Sequence, residues 1–587
     1  PRGSLWSDAN ARLVDDKGAE IPLQTRVTAR WSRFGSVKWL LCDFTLDLAG
    51  HSRDVFVEFG PEVTRQAQSA IAVTAGGAAA PMLDAGRLLI DNGLSFDPDG
   101  SRRFRKAMTA DALCGAFVED VNGVSYKGWG HKELVTGGRV FEASRDGAWQ
   151  VEEQGPQKVV LRRKGWFKEA KGPGQFCQYD ARLVVHRNSP LARLFFTWVY
   201  TGDSDADRIR NLGWRFGLQG LKPEGFLSSF DDPKWLHGGF VVQHDHDKFD
   251  LMEEAARFPQ KTGDGRRAPG VMAASGDGFR AYLGVKDFWQ NFPAEMAFEK
   301  DAMVFYQWPR HGKPRSHTPD LGTAYRLWFA HEGEVMDLRL PRELAEGPLY
   351  VAECGVEPHF AYGCPETVNA QGVAKTAEMW LFFTDDKTPA VEAVKTLQGL
   401  NDESLRPVVD PVWLTGSGVF FEIGPAIDKA RPDDERVYRL HAAKIANYID
   451  RMAIYGKWIY GDVLRAADME QQTASLYRTF RRSHWGWPYS WTPFARTGDT
   501  RFLKQAEAAT RLLTDVGFCH YVSDDMARRF AAFPPRYMWD FKQPFRARGF
   551  WNRNLIPWNG YWGPTARCYV DKVDHVWQAY YMTGYAR

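Results

Sequence analysis

Two short runs of the chain combine side chains that can transfer protons or bind anions with a high density of aromatic rings. The first, SHWGWPYSW at 483–491, places His484 and Tyr489 among three tryptophans, one of which is Trp487. Proline and glycine disfavour a continuous helix there, so we expect a loop at a helix end. Histidine and tyrosine exchange protons once their pKa is tuned, but a buried aromatic plug between helices explains the same composition equally well. Both interpretations stay open for this loop.

The second run, WNRNLIPWNGYW at 551–562, is too polar for a core segment. Asparagine and arginine can hold a carboxylate, tyrosine can exchange a proton, and tryptophan can stack on a sugar ring. A loop of this composition favours a functional role over a packing role. Its candidate residues are Trp551, Asn552, Arg553, Asn559 and Tyr561.

Single residues elsewhere give weaker indications. His575 lies at an expected helix start, where a lone histidine is more often structural than functional. Asp462, in a Tyr-Gly-Asp run, either caps a helix or binds sugar hydroxyls, and capping is the commoner role. His131 lies far from both runs in sequence, so it can contribute to the same site only if its domain lies beside them. The run HDHD at 244–247 has metal-ligand residue types, although a solvated turn explains it better.

The aromatic content is the unusual feature of the composition, because 23 Trp, 21 Tyr and 38 Phe make up 14% of 587 residues. Sugar rings have apolar faces that stack on aromatic rings, so this content favours a glycan ligand about as much as a large aromatic core. Lys plus Arg number 75 against 73 Asp plus Glu, a formal charge of +2. That balance provides no global field for a nucleic acid or a membrane surface, so an anionic substrate would need a local cluster.

Several common function classes find no support. The seven cysteines form no CxxC pair, which argues against zinc and thioredoxin chemistry. No apolar run reaches the roughly 18 residues of a membrane span. Walker, GxSxG, HExxH and dinucleotide-binding motifs are absent from the sequence. The chain opens at Pro1 with no visible signal peptide, and we expect further residues before it.

The first 430 residues read mainly as strands. Short β-branched or aromatic runs alternate with Gly, Asp and Pro turns, and few helical patterns lie between them. Many strands at this spacing predict β-sandwiches, with a first boundary near 74–83. The clearest runs are 26–31, 38–44, 54–59, 158–167, 181–187, 191–200, 279–285, 303–308 and 324–330.

The pattern changes to helices near residue 432. Asp433 or Asp434 can cap one helix, and a second begins after Asp499 and can end at Gly517.

A weak repeat supports a helical array. An aromatic residue precedes Thr-Gly at both Gly498 and Gly584, and each pair looks like the end of a helix. Recurrent helix pairs build an α/α toroid. A closed toroid needs more residues than the chain has beyond 431, so we expect it to be incomplete here.

Five runs resemble, in order along the chain, the exo-rhamnogalacturonan lyase-like polysaccharide lyases, which include or border ulvan-type lyases. The family has N-terminal β domains followed by a helical toroid. Members often carry several histidines in the last stretch, whereas residues 551–576 contain only His575. The runs are WSRFGSVKWLL at 31–41, KDFWQNFP at 286–293 with QWP at 307–309, GVAKT at 372–376, YGKWIYGD at 455–462, and 494–516 ending in TDV.

The resemblance implies β-elimination, in which a base removes the C5 proton of a uronate and the substituent at C4 leaves. Arg553 and Asn559 would neutralise the carboxylate, and Tyr489, His484 or His575 would handle protons. A bound Ca²⁺ is another way to neutralise the carboxylate, and no other cofactor is implied. The substrate contacts expected from the same resemblance are Trp458, Asp462, Trp487, Trp551, Asn552, Tyr561 and His131.

We therefore predict a multidomain β + α fold: an N-terminal β domain at 1–80, β-sandwich domains at 81–430 and an incomplete α/α toroid at 431–587. The predicted ligand is an acidic polysaccharide or oligosaccharide, and its nature implies a secreted or periplasmic protein. Three alternatives stay open. They are a lyase for ulvan or other rhamnose–glucuronate linkages, a glycoside hydrolase using Asp524, Asp525 and Asp540, and a non-catalytic glycan-binding protein.

Overall fold

The computed structural model is rich in β-strands. The residues it describes are 1–48, 52–74, 81–121, 123–127, 132–136, 138–204, 206–254, 259–312, 335–336, 338, 370–420, 423–426, 431–451, 455–458, 460–461, 491–516, 520–525, 528 and 576–585.

The N-terminal strands form two small antiparallel sheets. Strand β1 pairs with β2 and β5, and β3 pairs with β4 in a hairpin. Their inward side chains, including Ala11, Leu13 and Val37, are buried in two small cores. The bounds are β1 Ala11–Asp15, β2 Glu20–Ile21, β3 Gln24–Arg30, β4 Val37–Asp43 and β5 Val55–Phe59, with a 3-10 turn at Asp8–Asn10.

Five short strands then form a meander in which each strand pairs with the next. The ring of Phe96 stacks on Phe383 with 5.5 Å between centroids, so the meander shares the core of the large sheet described next. The bounds are β6 Val73–Thr74, β7 Met82–Asp84, β8 Leu88–Ile90, β9 Leu94–Phe96 and β10 Arg105–Met108.

Seventeen of the described strands belong to one antiparallel sheet. A separate hairpin joins β12 Gly123–Lys127 to β13 Lys132–Thr136, and 3-10 turns lie at Ala110–Cys114 and Ala143–Arg145. The seventeen strands are β11 Ala116–Asp120, β14 Val140–Glu142, β15 Gln150–Gln154, β16 Lys158–Glu169, β17 Gln175–His186, β18 Leu191–Val199, β19 Ile209–Gly217, β20 Lys222–Leu227, β21 Trp235–Leu236, β22 Phe240–Asp245, β23 Lys248–Glu253, β24 Gln260–Gly265, β25 Val271–Gly276, β26 Phe279–Val285, β27 Ala294–Glu299, β28 Ala302–Trp308 and β29 Ala374–Asp385.

This sheet folds over into two layers. In the first layer β18 pairs with β17 and β29, and the ladder continues through β26, β25 and β20. In the second layer β19 pairs with β28, and the ladder continues through β27, β22 and β23. Strands β14 and β11 link the two layers. Strand β14 pairs with β16 of the first layer and with β11, and β11 in turn pairs with β19 of the second layer.

Aromatic side chains fill the space between the layers. The rings of Phe196 on β18 and Trp214 on β19 meet edge-to-face at 5.3 Å, and Phe226 on β20 lies 5.0 Å from Phe298 on β27. Alternation along each strand places every second residue in this core. The sandwich-type sheets predicted from the sequence are therefore confirmed.

The helices are Ala390–Asn401, Pro411–Gly416, Pro432–Arg451, Trp491–Thr497, Thr500–Val516 and a helix at 576–583. The predicted helices near 433 and after Asp499 are confirmed. The first two helices lie inside the stretch that reads mainly as strands. Val394 and Leu397 of the first one pack on Phe382, so a helix covers the outer face of the first layer. Strand β29 is consequently buried on both faces and shows no alternation.

The repeated Thr-Gly pairs end two helices with the same geometry. Gly498 and Gly584 both have φ +68°, a conformation that favours glycine, and their amides donate to Phe494 and Tyr580 at 2.8 Å. The hydroxyls of Thr497 and Thr583 each donate to the carbonyl four residues earlier, at 2.7 and 2.6 Å. The repeat is therefore a helix C-terminal cap used twice.

The α/α toroid stays a prediction, because 462–490 and 529–575 lie outside the described residues, and the predicted domain boundaries stay predictions as well. The expected strand at 324–330 and the predicted helix end at Gly517 also lie outside them. Among the helices that are described, none combines the length and the apolar character that a membrane crossing requires.

Phe196→Ala tests the two-layer core. Phe196 is fully buried between Trp214 and Phe167, so its removal leaves a cavity, and we expect the free energy of unfolding to fall by about 3–5 kcal/mol. Urea denaturation followed by tryptophan fluorescence measures the change. Val151→Ala at a 43% exposed position is the control, with an expected change within about 0.5 kcal/mol. Equal effects for both variants would contradict the proposed core.

Candidate functional site

Four of the five sequence runs that carry the family resemblance meet around the helix Thr500–Val516, which packs on β29. We call this region the sandwich–helix interface and define it as the outer faces of β18 and β29, the helix Thr500–Val516 and residues 455–461. The helix packs along β29, and residues 455–461 bond to the segment 286–293. Four of the five runs contribute directly to this region.

The GVAKT run and the TDV end of the helix are joined by a buried carboxylate. Asp515 is fully buried, and its two oxygens accept from the amide and the hydroxyl of Thr376, each at 2.8 Å. The same hydroxyl lies 2.7 Å from that of Thr197 on β18. Two hydrogen bonds from Thr376 fix the end of the helix on β29, and the contact between the two hydroxyls extends the link to β18.

Lys286, the first residue of the KDFWQNFP run, lies at the centre of an ion-pair cluster. Its buried amine contacts the carboxylates of Glu403 and Glu507, the latter at 2.5 Å. Arg406 donates to the same two carboxylates at 2.6 and 3.0 Å. Each carboxylate therefore has two cationic partners, which is the arrangement that makes burial of charge tolerable.

Glu378 continues this network on β29. Its carboxylate, which is 2% exposed, accepts from Arg193 of β18 at 2.6 Å and from Arg511 of the helix at 3.0 Å. Burial raises the pKa of Glu378, but the attraction of Arg193, Lys286 and Arg511 outweighs it, and the pKa is lowered overall.

The pKa of Glu507 is lowered in the same way. Burial raises it, and the nearby charges of Lys286 and Arg406 lower it by more. Both Glu378 and Glu507 are therefore ionised at neutral pH and already hydrogen-bonded to cations. Such carboxylates are poor proton donors and poor bases, so the network positions the helix and leaves acid–base chemistry to other groups.

Residues 455–461 are bonded to the KDFWQNFP run. The amides of Gly456 and Lys457 donate to the carbonyls of Gln290 and Phe292 at 2.7 and 2.9 Å. The hydroxyl of Tyr460 donates to Asp287 at 3.3 Å. Two runs that are far apart in sequence thus form one backbone-paired unit.

A cluster of aromatic and charged side chains, which we call the clamp, contacts the end of the helix Pro432–Arg451 and the start of residues 455–461. The guanidinium of Arg267 lies 4.1 Å from the centre of the Trp289 ring and 2.7 Å from Asp450. The hydroxyl of Tyr455 donates to the same carboxylate at 3.2 Å, and the ring of His246 stacks on that of Tyr455 at 5.9 Å. The clamp ties the end of the helix Pro432–Arg451 to the β22–β23 hairpin.

The residues on either side of the first predicted loop are anchored close together. Gly461 approaches the helix Thr500–Val516 so closely that a Cβ there would lie 2.3 Å from the carbonyl oxygen of Ala508. Trp491 is fully buried, and its indole N–H donates to Thr510 at 3.2 Å. The residues that bracket 462–490 therefore meet the same turn of one helix.

The residues beside the second predicted loop also lie on the first layer. The amide of His520 donates to Gly372 at 2.8 Å, and the Tyr521 ring meets Trp166 on β16 edge-to-face at 5.4 Å. Beyond the loop, the Tyr585 ring lies 4.4 Å from Phe195 on β18. Burial lowers the pKa of His520, which favours its neutral form.

Most predicted site residues cannot be placed in this geometry. Trp458 is the exception: it is 2% exposed and packs edge-on against Trp198 at 6.3 Å, and its stacking role stays a prediction. The others lie outside the described residues: His484, Tyr489, Arg553, Asn559, His575, Asp462, Trp487, Trp551, Asn552, Tyr561 and His131.

Sequence reasoning missed the ion-pair network, although one signal for it exists. Strand β29 reads AKTAEMWLFFTD, and a glutamate in the middle of an apolar strand indicates a buried charge that needs partners. The partners themselves lie far away in sequence, since Arg193 is separated from Glu378 by 185 positions. No local pattern identifies them.

The HDHD run covers the end of β22, at His244 and Asp245, and the turn before β23, at His246 and Asp247. Donor atoms of Asp245, His246 and Asp247 lie within 4.8 Å of one another, so these residues are the ones among those described that could hold a metal ion. His246 Nδ1 is already 2.8 Å from Asp245 Oδ1. This hydrogen bond accounts for the short separation without an ion, in agreement with the turn interpretation.

Comparison with known proteins supports the family resemblance. A model of the PcRGLX-like protein central beta sandwich domain matches residues 141–222, which run from β14 to the start of β20. The resemblance to the exo-rhamnogalacturonan lyase-like family is therefore confirmed through this segment of the sandwich. No curated protein matches the chain in sequence.

Solved structures with partial similarity to this chain include an alpha-mannosidase from Enterococcus faecalis, with 8% identity, a TM-score of 0.36 and 67% of this chain covered. The alpha-N-acetylgalactosaminidase NagBb from Bifidobacterium bifidum has 9% identity, a TM-score of 0.24 and 57% coverage of this chain. The chain spans 40% of the length of each. A putative aldose 1-epimerase from Klebsiella pneumoniae has 11% identity and a TM-score of 0.23, with 55% of this chain and 81% of that one covered.

Lys286→Met tests the ion-pair cluster. Removing the amine leaves Glu403 and Glu507 buried with one cation between them, so we expect a loss of about 3–5 kcal/mol in the free energy of unfolding. Urea denaturation measures it. Lys234→Met is the control, because the ion pair of Lys234 with Asp232 is largely exposed. A Lys286 variant as stable as the control would contradict a structural role for the cluster.

The lowered pKa values of Glu378 and Glu507 predict acid sensitivity. A carboxylate with a folded pKa below its unfolded value of about 4.3 contributes stability above that value and loses it as the pH falls towards the folded pKa. We expect thermal unfolding temperatures to drop steeply below about pH 5. In Glu507→Gln the drop should be shallower, since one titrating group is gone. Parallel pH profiles for the two proteins would rule out Glu507 as a source of the effect.

Proposed function

We propose that the chain is part of a polysaccharide lyase that cleaves rhamnose–uronic acid linkages by β-elimination. The observation that carries this proposal is the match of residues 141–222 to the PcRGLX-like central beta sandwich domain. It supports a carbohydrate-active enzyme, and the five runs in family order extend the similarity beyond the matched segment. The proposed substrate is an acidic polysaccharide or oligosaccharide, and such a substrate implies export to the periplasm or beyond the cell.

The chemistry requires three groups. A cation or amide near the uronate carboxylate stabilises the charge that develops when C5 loses its proton, and we assign this to Arg553 and Asn559. A base removes the proton, and an acid protonates the oxygen that leaves C4, so that the products are a new reducing end and an unsaturated uronate. We assign the proton transfers to Tyr489, His484 or His575.

The sandwich–helix interface supports this proposal because it holds the residues on either side of the first predicted loop. Gly461 and Trp491 bracket the loop that contains His484 and Tyr489, and both are packed on one helix. That helix is fixed to the sandwich by Asp515 and the ion-pair cluster. Catalytic groups need placement to within a fraction of an ångström, which a loop achieves when its ends are held by a rigid scaffold.

A hydrolase reaction would need a different set of groups. Asp524 and Asp525 are the described members of the acidic set considered for it, and both are exposed. Asp525 pairs with Arg528 at 3.6 Å, as a surface ion pair. An exposed carboxylate lacks the enclosed, apolar surroundings of a catalytic general acid, so elimination is the better-supported reaction.

Ultraviolet absorbance tests the reaction, because the unsaturated uronate formed by elimination absorbs there. The complete protein is incubated with rhamnogalacturonan or with ulvan. We expect absorbance to rise with one polymer, and that polymer identifies the uronate. Reducing ends without absorbance would indicate a hydrolase, and binding without either product would indicate a glycan-binding protein. Repeating the assay with a chelator tests whether Ca²⁺ takes part.

Tyr489→Phe and Arg553→Ala test the assigned groups. We expect each to lower kcat by about 100-fold or more, because each removes a proton-transfer group or a charge-stabilising group. Tyr521→Phe is the matched control for the tyrosine, since Tyr521 contacts Trp166 through its ring and keeps that contact. Full turnover by Tyr489→Phe or Arg553→Ala would remove that residue from the mechanism.

A further inference from the structure

The turn between β3 and β4 and the segment before β1 present two aromatic rings to solvent. Phe34 is 82% exposed and Trp6 is 61% exposed, the two highest values among large apolar side chains in the described residues. Exposed aromatic rings of this size are unfavourable for stability and often mark a binding surface. Rings exposed to this degree can stack on a ligand ring.

The backbone that carries these two residues is tightly held. Arg30 Nη1 donates to the carbonyl oxygens of Trp6 and Gly35 at 3.0 and 3.1 Å. The amide of Val37 donates to Leu5 at 2.7 Å. One guanidinium therefore links the two segments, so that the rings of Trp6 and Phe34 are presented by one fixed unit. Preorganised rings lose little entropy on binding.

The charge around the rings is positive. The guanidinium of Arg33 lies 5.2 Å from the centre of the Phe34 ring, and the side chains of Arg2, Arg30 and Arg33 are exposed. The ion pairs found among the described residues begin at Arg12 and Arg26 and include none of these three arginines. Arg30 Nη1 is already bound to the carbonyls of Trp6 and Gly35, so the donors that can pair with carboxylates of a ligand are those of Arg2 and Arg33 and the remaining ones of Arg30.

We propose that Trp6, Phe34, Arg30 and Arg33 form a second binding surface for acidic polysaccharide, separate from the residues assigned to catalysis. The rings stack on the apolar faces of sugar units, and the guanidinium groups pair with uronate carboxylates. The choice of an acidic glycan over another anionic ligand rests on the proposed function. The aromatic and cationic character of the surface comes from the structure itself.

A contact close to the turn of the hairpin indicates how this surface would serve the enzyme. Trp39 on β4 lies 5.5 Å from Phe420 and stacks on Tyr581 at 5.8 Å. The hairpin is thus packed on the helix at 576–583, which follows the second predicted loop (551–562) along the chain. A polymer held at the turn lies on the same part of the molecule as the residues that border that loop.

Native affinity electrophoresis with the complete protein tests the surface, with rhamnogalacturonan in the gel and neutral galactan as the comparison. We expect Trp6→Ala combined with Phe34→Ala to weaken retardation by rhamnogalacturonan about tenfold, a typical effect of losing aromatic contacts. Arg33→Gln should weaken it too, and retardation should fall as salt rises. Phe56→Ala, at a 53% exposed aromatic residue on β5, is the control and should bind like the unsubstituted protein.

Turnover separates this inference from the proposed function. Short oligosaccharides do not reach a second surface, so the double variant should cleave them at the unsubstituted rate. Retardation that depends on Trp6 and Phe34 in a protein without lyase activity would support the surface and reject the proposed reaction. Unchanged retardation in the double variant, or equal retardation by galactan and rhamnogalacturonan, would overturn the inference, as would no retardation of the unsubstituted protein.

Discussion

A carboxylate in the middle of a buried strand needs cationic partners before that strand can be buried on both faces. Glu378 imposes this constraint on β29, and Arg193 and Arg511 meet it from a neighbouring strand and from the helix Thr500–Val516. Because one partner belongs to the sandwich and the other to the helix, the charge can be satisfied only when the two parts are docked. Lys286 and Glu507 form another buried ion pair beside it, and this pair also joins the sandwich to the helix. The interface is thus specified by charge pairing as well as by apolar burial.

This arrangement gives the predicted active loops a common support. The residues that border 462–490 pack on the docked helix, and those that border 529–575 pack on β16, β18 and the β3–β4 hairpin. The ionised network does not itself exchange protons, since its carboxylates keep lowered pKa values. It fixes the positions of the described residues on either side of the predicted loops. The residues of the network therefore differ from those proposed for catalysis.

The sequence allows the strands and the capped helices to be predicted because their signals are local. A short run with aromatic and β-branched residues between turns identifies β26, which matches its expected bounds, and the repeated Thr-Gly pairs mark two helix ends that the structure confirms. The helix Ala390–Asn401 was missed because it follows a long strand run without a side-chain cap at its start. The ion-pair network escaped prediction because its members are brought together only by the tertiary fold. The roles of the loop residues stay predictions, and their neighbours in sequence are what the structure places.

Because the sandwich and the helix both contribute charges to this network, the network limits where the protein can be divided for experiments. A fragment that stops before the Thr500–Val516 helix would keep Glu378, Lys286 and Thr376 but lose Arg511, Glu507 and Asp515. Water would then hydrate the charged groups that have lost their partners. The part of the β29 face that this helix covers would become exposed, with polar residues beside apolar ones. Because β29 is hydrogen-bonded to β18 and β26 on its two sides, the newly exposed surface is a sheet face with apolar side chains, which promotes association between molecules. A soluble piece for crystallisation therefore should carry the sandwich and this helix together, and a protease cut between them should release neither part until the charges are screened or protonated.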